Sequence, residues 1–133
     1  MQGNPAYRTG INAYQSVQEK TMSGRETEAR VLTKAAHKLK ECQENWDSGN
    51  RQSELEEAFT YNQRIWSIFQ TELTKPDHPM EKGLRQNLLN LSIFISKRIY
   101  DTRAYPDPEK LTAIININNN LANGLRASTA TVQ

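Results

Sequence analysis

Three short stretches rich in helix breakers divide this chain: "DSGN" at 47–50, "TKPDHP" at 74–79 and "AYPDPEK" at 104–110. Between them the apolar residues recur at helical spacing, and no segment alternates as a strand would. Ala29, Leu32, Ala36, Leu39 and Trp46 mark the first helix, which Ser23 and Glu26 open as a capping box. Ser53 and Glu56 make a similar box for the second, whose apolar face is Leu55, Ala58, Phe59, Ile65, Trp66, Phe69 and Leu73. The third spans about Met80 to Asp101, with Leu84, Leu88, Leu91, Phe94, Ile95 and Ile99 on one arc. Asp107 caps the last helix, with Pro108 in the favoured first position, and the pattern continues to about Arg126. Four helices with short links predict an all-α, four-helix bundle-like single domain.

Ahead of it, residues 1–22 are polar, broken by Gly3, Pro5 and Gly10, and too sparse in apolar side chains for a core. They read as a flexible N-terminal arm, followed by the helical domain at 23–126 and a short tail at 127–133. The 133 residues suit one core. Hydrophobic residues make up 36% and charged residues 24%, and periodic grouping of the apolar ones argues against disorder.

The last helix contains "IININNNLANGLR" at 114–126, where Asn fills four of the five positions 116–120. Asn is a mediocre helix former because its amide competes for nearby backbone groups. At about 100° per residue, Asn116, Asn119, Asn120 and Asn123 lie together opposite the apolar arc and form a wet face. Asn118 projects from the middle of that arc. Asn62 does the same among Leu55, Phe59, Trp66 and Phe69. A buried amide left unpaired costs roughly 1–3 kcal/mol, so each needs a partner. Three readings stay open: a polar pair that fixes register in the core, a contact to a bound helix, or a catalytic role.

Catalysis finds no support. His37 and His78 have no Cys or carboxylate at a repeating ligand spacing, so no metal site is expected. No phosphate loop, G-x-S-x-G or HExxH is present. The lone Cys42 reads as a small buried thiol, excludes an intrachain disulfide and fits a reducing cytosol. Net charge is +2 with interleaved signs, so a nucleic-acid surface is not expected. No apolar run approaches the roughly 18 residues of a membrane span, and the N-terminus has no secretory pattern. These features predict a cytoplasmic binding protein, neither enzyme nor cofactor carrier.

A second apolar stripe on the third helix, Leu89, Ile93 and Tyr100, lies roughly opposite its main face. Such a helix is either central in the bundle or offers a groove to an amphipathic partner helix. Tyr7, Tyr14 and Tyr105 are candidate anchors at such a surface. The candidate partner-binding residues are therefore Leu89, Ile93, Tyr100, Asn118, Asn62 and Tyr14.

Three stretches together, "GRETEARVLTKAAHKL", "FTYNQRIWSIFQTEL" and "LRQNLLNLSIFISKR", resemble the FlaF family of bacterial flagellar biosynthesis proteins. The resemblance rests on R-E-x-E-A at Arg25 to Ala29, and on N-x-R-x-W at Asn62, Arg64 and Trp66. It rests also on a loop ending at Pro79 with Leu84 and Arg85 beyond it. "NAYQ" at 12–15 fits as well, so that the match covers about residues 12–103; the tail helix looks longer than in shorter members. The resemblance implies a small cytoplasmic helical protein that binds flagellin as an export chaperone or adaptor and acts against FlbT, a repressor of flagellin synthesis. The alternative is a post-transcriptional regulator working with or against an FlbT-like protein or mRNA. The sequence leaves the oligomeric state open.

Overall fold

The computed structural model describes the backbone of residues 5–132 and the side chains of 24–127. Four helices follow in order: α1 (Pro5–Glu44), α2 (Arg51–Leu73), α3 (Lys82–Ala104) and α4 (Thr112–Val132), with a 3-10 turn at Pro108–Leu111 before the last. The described residues contain no strand, and the all-α architecture expected from the breakers is present. Several boundaries differ. α1 begins ahead of Ser23, so the Ser23–Glu26 box is interior to it. α2 starts at Arg51 after Asn50, whose side chain makes no cap bond, so the Ser53–Glu56 box also lies inside a helix. α4 continues past Arg126 to Val132. The Asp107 cap forms as expected: its Oδ1 accepts from the Glu109 N–H at 3.0 Å, beside Pro108.

The core is built mainly on the α1–α4 pair, with α2 against α1. α1 presents small residues at helical spacing, Ala29, Ala35 and Ala36, along with Leu32 and Leu39, all buried. Small side chains let the helix axes approach, so that Leu111, Ile114, Ile115 and Ala122 pack against them. Each buried Leu or Ile contributes roughly 1.5–3 kcal/mol relative to exposure. Gln43 of α1 fixes where α4 starts, donating through Nε2 to the Pro108 carbonyl and the Thr112 hydroxyl, both at 2.9 Å.

α3 is peripheral, which decides the question its two apolar stripes left open. It lies on α2 and touches α4 sparingly. Its buried residues begin near mid-helix at Ser92 and continue with Ile95, Ile99 and Thr102 in its second half. That half is pinned: Arg103 donates from Nε and Nη2 to the two Glu56 carboxylate oxygens at 2.8 Å, and its guanidinium lies over the Phe59 ring. Lys110 reaches Asp101 at 2.9 Å from beyond the helix end. Residues 82–91 include none buried; their described tie to the loop is Arg85 Nη1 to the Lys75 carbonyl at 3.0 Å.

Candidate functional site

The two amides that interrupt apolar faces meet inside the bundle. Asn62 and Asn118 are both fully buried. Asn118 Nδ2 donates to Asn62 Oδ1 at 2.7 Å, and Trp66 Nε1 donates to Asn118 Oδ1 at 2.9 Å. Asn62 Nδ2 donates to the carbonyls of Ala35 and Ala58, at 3.3 and 2.9 Å. The network therefore ties α1, α2 and α4 at one level. It also removes Asn62 and Asn118 as partner-binding residues, because their polar atoms are closed off from solvent and used within the chain. The core-pair reading is the one the geometry carries. The other four Asn of the cluster, at 116, 119, 120 and 123, are exposed.

The network holds the floor of an open groove. Trp66 is only 2% exposed, and its ring meets Phe69 edge-on at 5.6 Å. Phe69, expected in the core, is half-buried and faces this groove together with Leu73. The cavity measures about 680 Å³. α4 contributes Leu121 and Leu125 to one wall, and the first half of α3 contributes Leu84 and Leu88 to another. The 74–81 loop closes one end; there His78 Nδ1 accepts from the Met80 N–H at 3.1 Å. Apolar side chains dominate the lining, and Leu84 is still 50% exposed. An open apolar concavity of this size is the kind of surface that accepts side chains of a partner helix.

The groove rim is charged. Glu28, Glu72 and Glu81 stand on it with Arg25 and His78. Glu28 reaches solvent at its edge, yet its carboxyl is held above the usual range. Partial burial is the main cause; Glu72 pushes the same way, while Arg25 and His78 oppose it. Glu72 keeps Lys75 at 3.0 Å.

The second stripe of α3 lies outside the groove. Leu89 is half-buried, Ile93 is 47% exposed and Tyr100 is 77% exposed, so this stripe is not covered by the chain's other described helices. Phe94 and Ile68 are also exposed. Tyr105 is exposed with Lys110 over its ring at 5.6 Å. Tyr7 and Tyr14 lie outside the residues whose side chains are described. Sequence reasoning missed the groove because its lining residues come from apolar arcs that read as core: Leu84, Leu88, Leu121 and Leu125 look like core positions on a helical wheel. The available signal was the Pro-rich loop at 74–79, whose His78 and Pro79 join Phe69 in the lining.

Cys42 is buried and its thiol is pushed up to about 11, chiefly by burial and then by Glu54, Glu41 and Glu57. A thiol so shifted is a poor nucleophile at neutral pH. His37 pairs with Glu41 on the α1 surface. Among the described residues no group of three His, Cys, Asp or Glu is placed to hold a metal ion, and no helix is long and apolar enough to cross a membrane.

No curated protein and no solved structure matches the chain. A sequence model of one family, described as Flagellar protein FlaF, matches residues 10–125, which takes in the helices that build the core and the groove. The chain belongs to the FlaF family of flagellar proteins.

Proposed function

We propose that this protein binds flagellin in the cytoplasm and supports its production and export as a secretion chaperone or adaptor. The observation that carries the reading is the apolar groove of about 680 Å³ floored by Trp66 and Phe69. A chaperone for a subunit with coiled-coil ends must cover a sticky helical face without unfolding it. A preformed groove walled on one side by Leu84 and Leu88 of α3, in a stretch of that helix with no buried residue, suits that task. The interior network supports it by holding Trp66 in place.

Co-expression with flagellin of the same organism, followed by size-exclusion chromatography with light scattering, tests the reading. A stable co-eluting complex is expected, lost in Leu84→Glu/Leu88→Glu while the helical circular dichroism of the free variant is kept. Separate elution of two folded proteins would refute it.

The exposed Ile93 and Tyr100, with Leu89 beside them, favour a second partner on the outer face of α3. An FlbT-like regulator is the candidate there. Ile93→Glu/Tyr100→Glu should then leave flagellin co-elution intact and abolish capture of that regulator.

A further inference from the structure

The solvent faces of three helices are charged. α1 exposes Arg30, Lys34, Lys40 and Glu41, α2 exposes Glu54, Glu57 and Arg64, and α3 exposes Lys82, Lys97 and Asp101. α4 differs along most of its length. From Leu111 to Leu125 no residue carries a charge, and the exposed side is made of Asn116, Asn119, Asn120 and Asn123. Asn is a poorer helix former than the Lys, Arg or Glu that the other helices use. Among the described residues none of the four amides has a hydrogen-bond partner, so the described fold draws no polar contact from them.

Their positions are palindromic. The set i, i+3, i+4 and i+7 is the patch that one helix presents where it crosses another, and it reads the same from either end about a point between Asn119 and Asn120. A two-fold interface demands that property, since residue i of one copy meets residue j of the other and j meets i. It also demands that the patch complement itself. A carboxylate or ammonium facing its own copy is repelled, whereas a carboxamide offers both N–H donors and an acceptor oxygen and so matches its own kind. Charge at the rim agrees. In an antiparallel pair about that point, Arg126 comes opposite Ala113 of the second copy, about one turn from its exposed Glu109.

We infer that two copies of this chain pair antiparallel through α4, about a two-fold axis between Asn119 and Asn120, with Asn116 of each copy facing Asn123 of the other. The overlap from Thr112 to Ala127 is about 22 Å long at about 1.5 Å per residue. One helix pair of that length falls short of the roughly 800 Å² per partner of a standard interface, so the dimer is weak, with a Kd of roughly 10–100 µM. Leu121 and Leu125, which line the groove, lie on roughly the opposite side of α4, so the pair carries two open grooves. The inference goes beyond the client-binding role and does not depend on it.

Sedimentation equilibrium of the full chain, from about 5 to about 500 µM, tests it. The mean mass should rise from that of the 15.2 kDa monomer toward a dimer across this range. Asn119→Asp/Asn120→Asp keeps the side-chain shape and sets four carboxylates around the axis, so it should weaken the dimer at least tenfold while the helical circular dichroism of the dilute variant is kept. Ile93→Glu/Tyr100→Glu, on the outer face of α3, should leave dimerisation unchanged. The register is read by oxidative cross-linking in a Cys42→Ala background. Asn116→Cys and Asn123→Cys are mixed, one of them tagged so that the copies differ in mass. The mixed disulfide should exceed either like-with-like disulfide at least fivefold, because two copies of position 116 stand about 10 Å apart along the axis, beyond the roughly 7 Å a disulfide can span.

A monomer at every concentration would overturn the inference. So would a dimer that the Asp variant leaves intact, one that the α3 variant dissolves, or a random distribution of disulfides. If the Asp variant does not fold, the cross-linking pattern decides alone.

Discussion

Truncating Asn118 should be among the most damaging single changes in this protein. Asn118→Ala leaves the Trp66 N–H without its acceptor at 2.9 Å and Asn62 Oδ1 without its donor at 2.7 Å. Asn62 and Asn118 have no exposed surface and Trp66 has 2%, so water cannot take the vacated place without a local opening. Each of the two orphaned groups costs roughly 1–3 kcal/mol, which sums to about 2–6 kcal/mol. A domain of this size is stabilised by about 5–15 kcal/mol, so the variant should unfold at a much lower urea concentration with an unchanged slope. Asn62→Ala orphans the Asn118 amide in turn. The double variant no longer contains the broken bond between the two, so its loss should fall short of the sum by about 0.5–3 kcal/mol. Urea titration followed by circular dichroism at 222 nm gives all four corners of the cycle. Additivity within about 0.5 kcal/mol, or an Asn118→Ala midpoint equal to that of the parent, would refute the network.

Other outcomes follow from the same geometry. Trp66→Ala removes a buried ring from both core and groove floor and should cost roughly 3–5 kcal/mol, measured by the same titration. Amide hydrogen exchange should protect residues 95–102 of α3 more than 82–91, since burial and the Arg103–Glu56 and Lys110–Asp101 ties lie in the second half; uniform protection would contradict this. Glu56 is held below its ordinary value mainly by the Arg103 hydrogen bonds, so its contribution is present above about 4.5 and fades as pH falls through the lowered value. The pair is largely solvent-exposed, so Glu56→Gln should cost no more than about 1 kcal/mol and less in high salt. Cys42 is raised instead, so the native state favours the neutral thiol: its contribution holds below pH 9 and is lost as pH rises toward about 11. A maleimide at pH 7.5 should label it far more slowly than in the urea-unfolded chain.

How much was legible depended on whether a feature is local. The breakers at 47–50 and 74–79 and the cap at Asp107 act through nearby backbone, and they mark the helix junctions where the wheel placed them. The two Ser–Glu boxes misled because helix starts are decided by competition: the chain before Ser23 and Ser53 is helical too, and a capping side chain has no role inside a helix. The Asn cluster separated correctly into a wet face and a single inward residue, since a 100° step fixes which side chains share a side. That Asn62 and Asn118 face each other depends on α2 and α4 meeting at one level, which no single helix specifies.

Taken alone, the sequence determined four helices, their approximate junctions, the polar and apolar faces, and the two amides that demanded partners. These follow from backbone periodicity and from the cost of burying an unpaired polar group. Tertiary structure decided which apolar arcs are core and which are groove. Leu84, Leu88, Leu121 and Leu125 carry the same pattern as truly buried residues, and only the peripheral seat of α3 leaves them lining an open cavity. The physical reason is that hydrophobic burial is non-directional: a wheel shows that a face is apolar, while the helix packed against it, or missing from it, is set by the whole chain.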